Sequence, residues 1–141
     1  MADIDEILTR TKTIALVGFS PKPERASHAV GHYLAHHGYR VIPINPGIAG
    51  EKHLGEITYA SLADIPDEIH VDMVDIFRRS EDIPPVVGEA LAAFPDGEGR
   101  TIWMQLGIQN EEAAQVARAA GWDVVQNKCT KIEHKRLEKS G

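Results

Sequence analysis

Cysteine is almost missing from this sequence: Cys129 is the only one in 141 residues. No disulfide can close within one chain, and no cysteine-based zinc site can form. A reducing compartment is expected. Long apolar runs are missing too, since no stretch approaches the roughly 20 residues that cross a bilayer. The opening MADIDEIL is acidic where a secretory leader is basic. Together these point to the cytoplasm and away from membranes. Positive charge is in short supply, with 15 Lys and Arg against 21 Asp and Glu and a formal net charge of −6. Nucleic-acid binders usually present a basic surface, so nucleic acid is not expected as the main partner.

What is present suits one globular core. Hydrophobic residues at 43% and charged residues at 26% disfavour disordered and fibrous classes. The length fits a single domain over 1–141, with an N-terminal helix within 1–12 and a C-terminal tail over 128–141. Asp3 and Glu6 bracket a first short helix, with Ile4, Ile7 and Leu8 on one face. Thr13 to Val17 is apolar on both alternating faces, the mark of a strand covered on both sides. Ala26, Val30, Tyr33 and Leu34 recur at helical spacing until Gly38, and YRVIPIN follows as a second strand.

Further strands are expected near Ile57 to Tyr59, over Val71 to Phe77, in TIWMQ and in WDVVQ. Between them lie two helices. One carries Ile83, Val87, Leu91 and Phe94 on a face, with Pro84 and Pro85 in its first turn and Asp82 as its cap. The other is capped by Asn110, with Ala113, Val116, Ala117 and Ala120 inward. Regular alternation with short connections predicts an α/β fold: a Rossmann-like, doubly wound, mostly parallel sheet with helices on both faces in three layers.

Such sheets bind ligands beyond the carboxyl ends of their strands, where the strand order reverses. The first such end is GFSPKPERAS, Gly18 to Ser27. A dinucleotide fingerprint GxGxxG would place glycines where Ser20 and Pro23 stand, so only Gly18 fits it. Two prolines impose a longer, stiffer loop before the helix. At the end of the second strand, where NAD binders place an acidic residue on the ribose, this chain has Asn45 and Pro46. Loss of that carboxylate favours NADP or a 3′-phosphorylated adenosine over NAD. Lys22, Arg25, Arg78 and Arg79 add positive charge on two loops of the same face, which suits a polyphosphate anion.

GFSPKPERASHAV, RVIPINP, VDIFRR, WMQLGI and KCTKIE occur in an order that resembles the small CoA-binding proteins of Rossmann fold. It is similar to the CoA-binding domain of the succinyl-CoA synthetase α subunit, and the likeness spans nearly the whole chain. The resemblance implies coenzyme A or an acyl-CoA as ligand. Gly18, Phe19, Ser20 and Pro21 would line the diphosphate, with Lys22, Arg25 and Ser27 nearby. Asn45 and Pro46 would border the adenosine, and Ile76, Phe77 and Arg78 would form the next wall. Trp103, Met104, Gln105 and Gly107 would flank the pantetheine arm. QNKCT departs from the family pattern around its cysteine.

The parts of the synthetases that carry the phosphorylated histidine and grasp the nucleotide have no counterpart in this sequence, and no acyl-transfer catalyst is evident. Three readings stand at this point: a non-catalytic CoA or acyl-CoA binder, an NADP-dependent oxidoreductase domain, or a regulatory subunit docking to a synthetase-like enzyme. Of the remaining side chains, His28, His32 and His36 fall opposite or beside the apolar stripe of their helix and are expected in solvent rather than on a metal. Asp72 and Asp75 face opposite sides of their strand and are expected to hold backbone amides. Cys129 reads either as an inert thiol or as one able to form a mixed disulfide with CoA. Glu133 and Glu138 interrupt the basic tail, which predicts a solvated terminal helix.

Overall fold

A computed structural model describes residues 2–140, so Met1 and Gly141, the outermost positions of the expected N-terminal segment and tail, lie outside the described residues. Seven strands and five α-helices follow in chain order: α1 (Ile4–Arg10), β1 (Thr13–Val17), α2 (Ala26–His36), β2 (Arg40–Ile44), β3 (Lys52–His53), β4 (Glu56–Ile57), β5 (Met73–Ile76), α3 (Ile83–Ala93), β6 (Thr101–Met104), α4 (Glu111–Ala119), β7 (Asp123–Val125) and α5 (Thr130–Ser140).

Five of the strands form one parallel sheet in the order β2-β1-β5-β6-β7. From β1 the chain first winds outward to β2, then returns to lay β5 on the other side of β1. The order therefore reverses between β1 and β5, with Val17 beside both Ile44 and Ile76 at their carboxyl ends. This is the Rossmann-like, doubly wound arrangement that the alternation implied.

Alternate residues of each strand divide the core. Ala15, Val17, Val74, Ile76, Ile102 and Met104 join Ile83, Val87, Ala113 and Ala117 of α3 and α4. Ile14, Leu16, Met73 and Trp103 face the other way, onto Ile7, Leu8, Val30 and Leu34 of α1 and α2. A strand covered on both faces has no polar side, which is why these runs read as continuous apolar stretches.

Local signals account for most boundaries. Asp3 accepts from the Glu6 amide at 2.8 Å and caps α1. Asn110 does the same for α4 from the Ala113 amide at 3.0 Å. Asp82 differs: a 3-10 turn over Ser80–Asp82 leads into α3, and the Asp82 carboxylate accepts from Arg79 Nε at 2.9 Å instead of capping. The stretch near Ile57 to Tyr59 is a small hairpin of β3 and β4, after which Tyr59 bridges Ile44 along the edge of β2. On α4, Val116 is 52% exposed and Ala120 is also outside, whereas Ala114 is buried with Ala113 and Ala117. Three small side chains let this helix lie close to the sheet, and the bulkier Val116 turns away.

The C-terminal helix α5 is less solvated than its charge pattern implied. Thr130, Glu133 and His134 are buried, and Leu137 packs against the core. His134 Nδ1 lies 2.8 Å from the Tyr33 hydroxyl, tying α5 to α2. Among the described residues no helix is long and apolar enough to cross a membrane.

Candidate functional site

The chain leaves β1 at Gly18 with φ +87°, a region open to glycine at little cost. A Cβ there would also run into the carbonyl oxygen of Phe77. The Gly18 amide donates to Ile44 O at 3.1 Å, so one residue holds the ends of β1, β2 and β5 in close register. Beyond it the loop is fastened by hydroxyls. Ser27 Oγ accepts from the Ser20 amide at 3.0 Å, and Ser20 Oγ accepts from the Lys22 amide at 3.1 Å.

The helix that follows is unusual at its start. Arg25 stands at the N-cap of α2 without a capping side-chain bond, and the first turn carries no acidic residue. The positive end of this 11-residue helix thus has no acidic side chain in its first turn. Ala26 and Ser27, from this same turn, line a cleft of about 680 Å³ at the switch point.

Gly18, Ser20, Lys22 and Arg25 form the near side of that cleft, and Phe77, Arg78, Arg79, Asp82 and Ile108 the far side. Arg79 is committed to Asp82 at 2.9 Å and approaches Glu81 at 3.9 Å. Lys22, Arg25 and Arg78 are exposed and make no salt bridge among the described residues. The far side is braced by Ser80, whose Oγ accepts from the Gln109 amide and whose carbonyl accepts from Asn110 Nδ2, both at 3.1 Å.

The structure thus brings together Gly18, Ser20, Lys22, Arg25, Ser27, Phe77 and Arg78 from the sequence expectation. Other expected residues lie elsewhere. Phe19, Ile76, Trp103 and Met104 are fully buried, and Gln105 is nearly so. Ile76, Trp103 and Met104 belong to strands, whose side chains point into the helical layers above and below and not past the strand's end, and Phe19 and Gln105 follow β1 and β6 into the same interior. Trp103 Nε1 donates to Lys128 O at 2.8 Å, and Met104 packs toward α3 and α4. Asn45 spends its side chain on backbone, donating from Nδ2 to Phe19 O at 2.7 Å and accepting from the Gly47 amide at 2.8 Å. Pro21, Pro46 and Gly107 are exposed beside or beyond the cleft. Ile108 and Ala26 were not anticipated. Ile108 is the last residue of WMQLGI, and the turn at Gly107, φ +84°, brings it back over the cleft.

Beneath this end of the sheet Asp75 is fully buried. Its Oδ1 accepts from Gln105 Nε2 at 2.7 Å and its Oδ2 from Thr130 Oγ1 at 3.0 Å. Gln105 Nε2 also reaches Thr130 Oγ1 at 2.8 Å. Burial pushes the Asp75 carboxyl up to about 7, although both hydrogen bonds favour the ionised form. Asp75 therefore joins β5, β6 and α5 through side chains and not through the backbone amides expected of it. Asp72 does hold amides, those of Lys12 and Thr13, at 3.0 and 2.9 Å.

His32 and His36 are exposed, while His28 is half-buried with its ring stacked 6.0 Å from that of Phe19. No group of three potential ligands suited to a metal ion occurs among the described residues. Cys129 is half-buried at the start of α5, where its carbonyl accepts from the Glu133 amide, and it does not line the cleft.

Comparison with known proteins places this geometry. The chain is 41% identical over 133 residues to the uncharacterized protein YneT of Bacillus subtilis (strain 168), covering 94% of this chain and 93% of that one. The structure resembles that of the Thermus thermophilus protein named cell-free ID.343, with a TM-score of 0.83, 38% identity and 93% of each chain covered. It shares a fold with part of the dinucleotide-forming acetyl-coenzyme A synthetase 1 of Ca. Korarchaeum cryptofilum, at a TM-score of 0.62 and 24% identity, over 80% of this chain and 25% of that larger one. The family model described as the CoA binding domain matches residues 12–135, from β1 into α5, and the chain belongs to that family.

Proposed function

We propose that the cleft between β1 and β5 binds coenzyme A or an acyl-CoA, and that the protein holds this ligand without transforming it. The observation that carries the reading is the uncapped start of α2 set among Lys22, Arg25 and Arg78, three unpaired cations in a chain of net charge −6. A helix N-terminus and unpaired cations together favour a polyphosphate group. The diphosphate would lie against Gly18, Ser20 and Ser27, with Arg25 and Arg78 on opposite sides of it. The pantetheine arm would leave over Phe77 and Ile108, the apolar part of the wall. Absence of an acidic residue at Asn45 fits the 3′-phosphorylated ribose of CoA. In support of binding without chemistry, among the described residues Asp82 is the one carboxylate lining the cleft and is taken up by Arg79, and no His or Cys lines it.

A ligand that binds only the folded state raises the melting midpoint. Thermal unfolding with CoA, acetyl-CoA, dephospho-CoA, NAD and NADP in parallel tests the reading. CoA and acetyl-CoA raise the midpoint most, and dephospho-CoA raises it less. A shift with NADP and none with CoA would replace this function with that of a dinucleotide oxidoreductase domain.

A further inference from the structure

A second cleft, of about 630 Å³, opens at the opposite end of the sheet, near the amino ends of β5 and β6. Its walls mix apolar and polar groups: Leu62, Ile65 and Pro66 from the turn before β5 and Ala93 and Phe94 from the end of α3, beside Asp67, His70, Glu89 and Asp96. At its base lies Arg100, only 9% exposed. The guanidinium is held in place by neutral groups. Nε donates to Val71 O at 2.8 Å, Nη1 to Asp96 O, and Nη2 to His70 Nδ1 at 3.3 Å. His70 Nε2 lies 3.3 Å from Asp72 Oδ1, which fits the neutral ring with its proton on Nε2. The Phe94 ring packs with its centroid 5.3 Å from Arg100 Cζ.

These bonds orient the guanidinium but do not neutralise it. No carboxylate lies within salt-bridge distance of Arg100 among the described residues, so a buried positive charge is left without an ion-pair partner. A guanidinium carries five N–H donors, and the three bonds named leave one on each Nη. Three carboxylates, Asp67, Glu89 and Asp96, stand on the exposed rim of the same cleft. Glu89 is held by the Leu62 amide at 2.7 Å, and the three charges repel a dianion about twice as strongly as a monoanion.

We infer that this cleft is a separate small-molecule site, and that its ligand is a short monocarboxylic acid with its carboxylate on Arg100 and its alkyl part against Ile65, Ala93 and Phe94. The pairing supplies the counter-charge that the fold withholds, and the apolar walls set the length of the alkyl chain. It does not depend on the CoA reading, since the two clefts lie at opposite ends of the sheet.

Sodium butyrate, butyramide and disodium succinate are titrated into the ¹⁵N-labelled protein at constant ionic strength. Butyrate is expected to give saturable amide shifts confined to residues 62–72 and 90–101. Butyramide and succinate give shifts at least tenfold weaker in affinity. Arg100→Met removes the charge and Ala93→Phe fills the cleft while leaving Arg100 in place, and each is expected to weaken butyrate at least tenfold. The second variant decides the matter if the first fails to fold. Equal binding of butyrate and butyramide, shifts that do not saturate, or wild-type affinity in Ala93→Phe would overturn the inference. Adding saturating CoA is expected to leave the butyrate affinity unchanged, and a tenfold change would show that the two clefts are not separate sites.

Discussion

Thr130, the first residue of the C-terminal helix, donates its hydroxyl to the buried carboxylate of Asp75, 55 residues away in sequence, at 3.0 Å. With the Tyr33–His134 bond and the packing of Leu137, it holds α5 against the sheet below the cleft. It also couples the fold to pH.

The ordinary value for this carboxyl is 3.8, and burial raises it to about 7 in the folded chain. Between those values the folded state keeps a proton that the unfolded chain has released. The contribution of this group is therefore full below about pH 4, is lost as pH rises toward and through 7, and levels off above it. Asp75→Asn removes the titration while keeping an acceptor for Gln105. Urea midpoints of the variant are expected to gain on the parent from pH 5 to about pH 7 and to hold that gain up to pH 8, and a constant offset across the whole range would assign the pH dependence to other groups.

Gly18 makes a sharper steric demand than any other residue of the cleft. A methyl group there meets both a positive φ and the Phe77 carbonyl. Gly18→Ala is expected to lower stability by about 2 kcal/mol or more, since the backbone must shift. Because Arg78 follows Phe77 directly, CoA affinity is expected to fall as well. A denaturation curve and a binding isotherm on the same sample separate the two effects, and an unchanged midpoint would show that the β1 and β5 ends are not in contact.

The arginines of the cleft are not equivalent. Arg25→Ala and Arg78→Ala each remove an unpaired cation, and CoA binding is expected to weaken by roughly tenfold, with melting midpoints near those of the parent. Arg79→Ala breaks an exposed, solvent-screened pair with Asp82 and is expected to change both stability and CoA affinity little. Isothermal titration at two salt concentrations checks this, because loss of a phosphate contact also flattens the salt dependence. Arg79→Ala weakening CoA as much as Arg78→Ala would assign the phosphate contacts differently.

The layered fold was legible because it rests on local pattern. Thr13–Val17 has no polar face, Gly38 and Gly121 stop their helices, and Asn110 caps as its position implied. The cationic rim was legible for a similar reason, since Lys22, Arg25 and Arg78 follow the ends of β1 and β5. Motif order indicates which strand ends approach a ligand, but not which side chains face it. Trp103 and Met104 belong to the interior because pleating sends them there, and Gln105, just past the strand, is drawn in by Asp75 and Thr130. The Asp75, Gln105 and Thr130 network joins three separate elements, and only the closed sheet shows it. Ile108 enters the cleft through a turn at a positive-φ glycine, which carries no apolar signal of its own.

The loop from Ser20 to Ser27 is tied by its own hydroxyls and contains Pro21 and Pro23, so its shape is set by the fold before any ligand arrives. Association then spends little free energy on ordering this part of the site. If the proposed ligand is coenzyme A, the entropy lost on binding would fall mainly on its long, flexible arm and less on this loop.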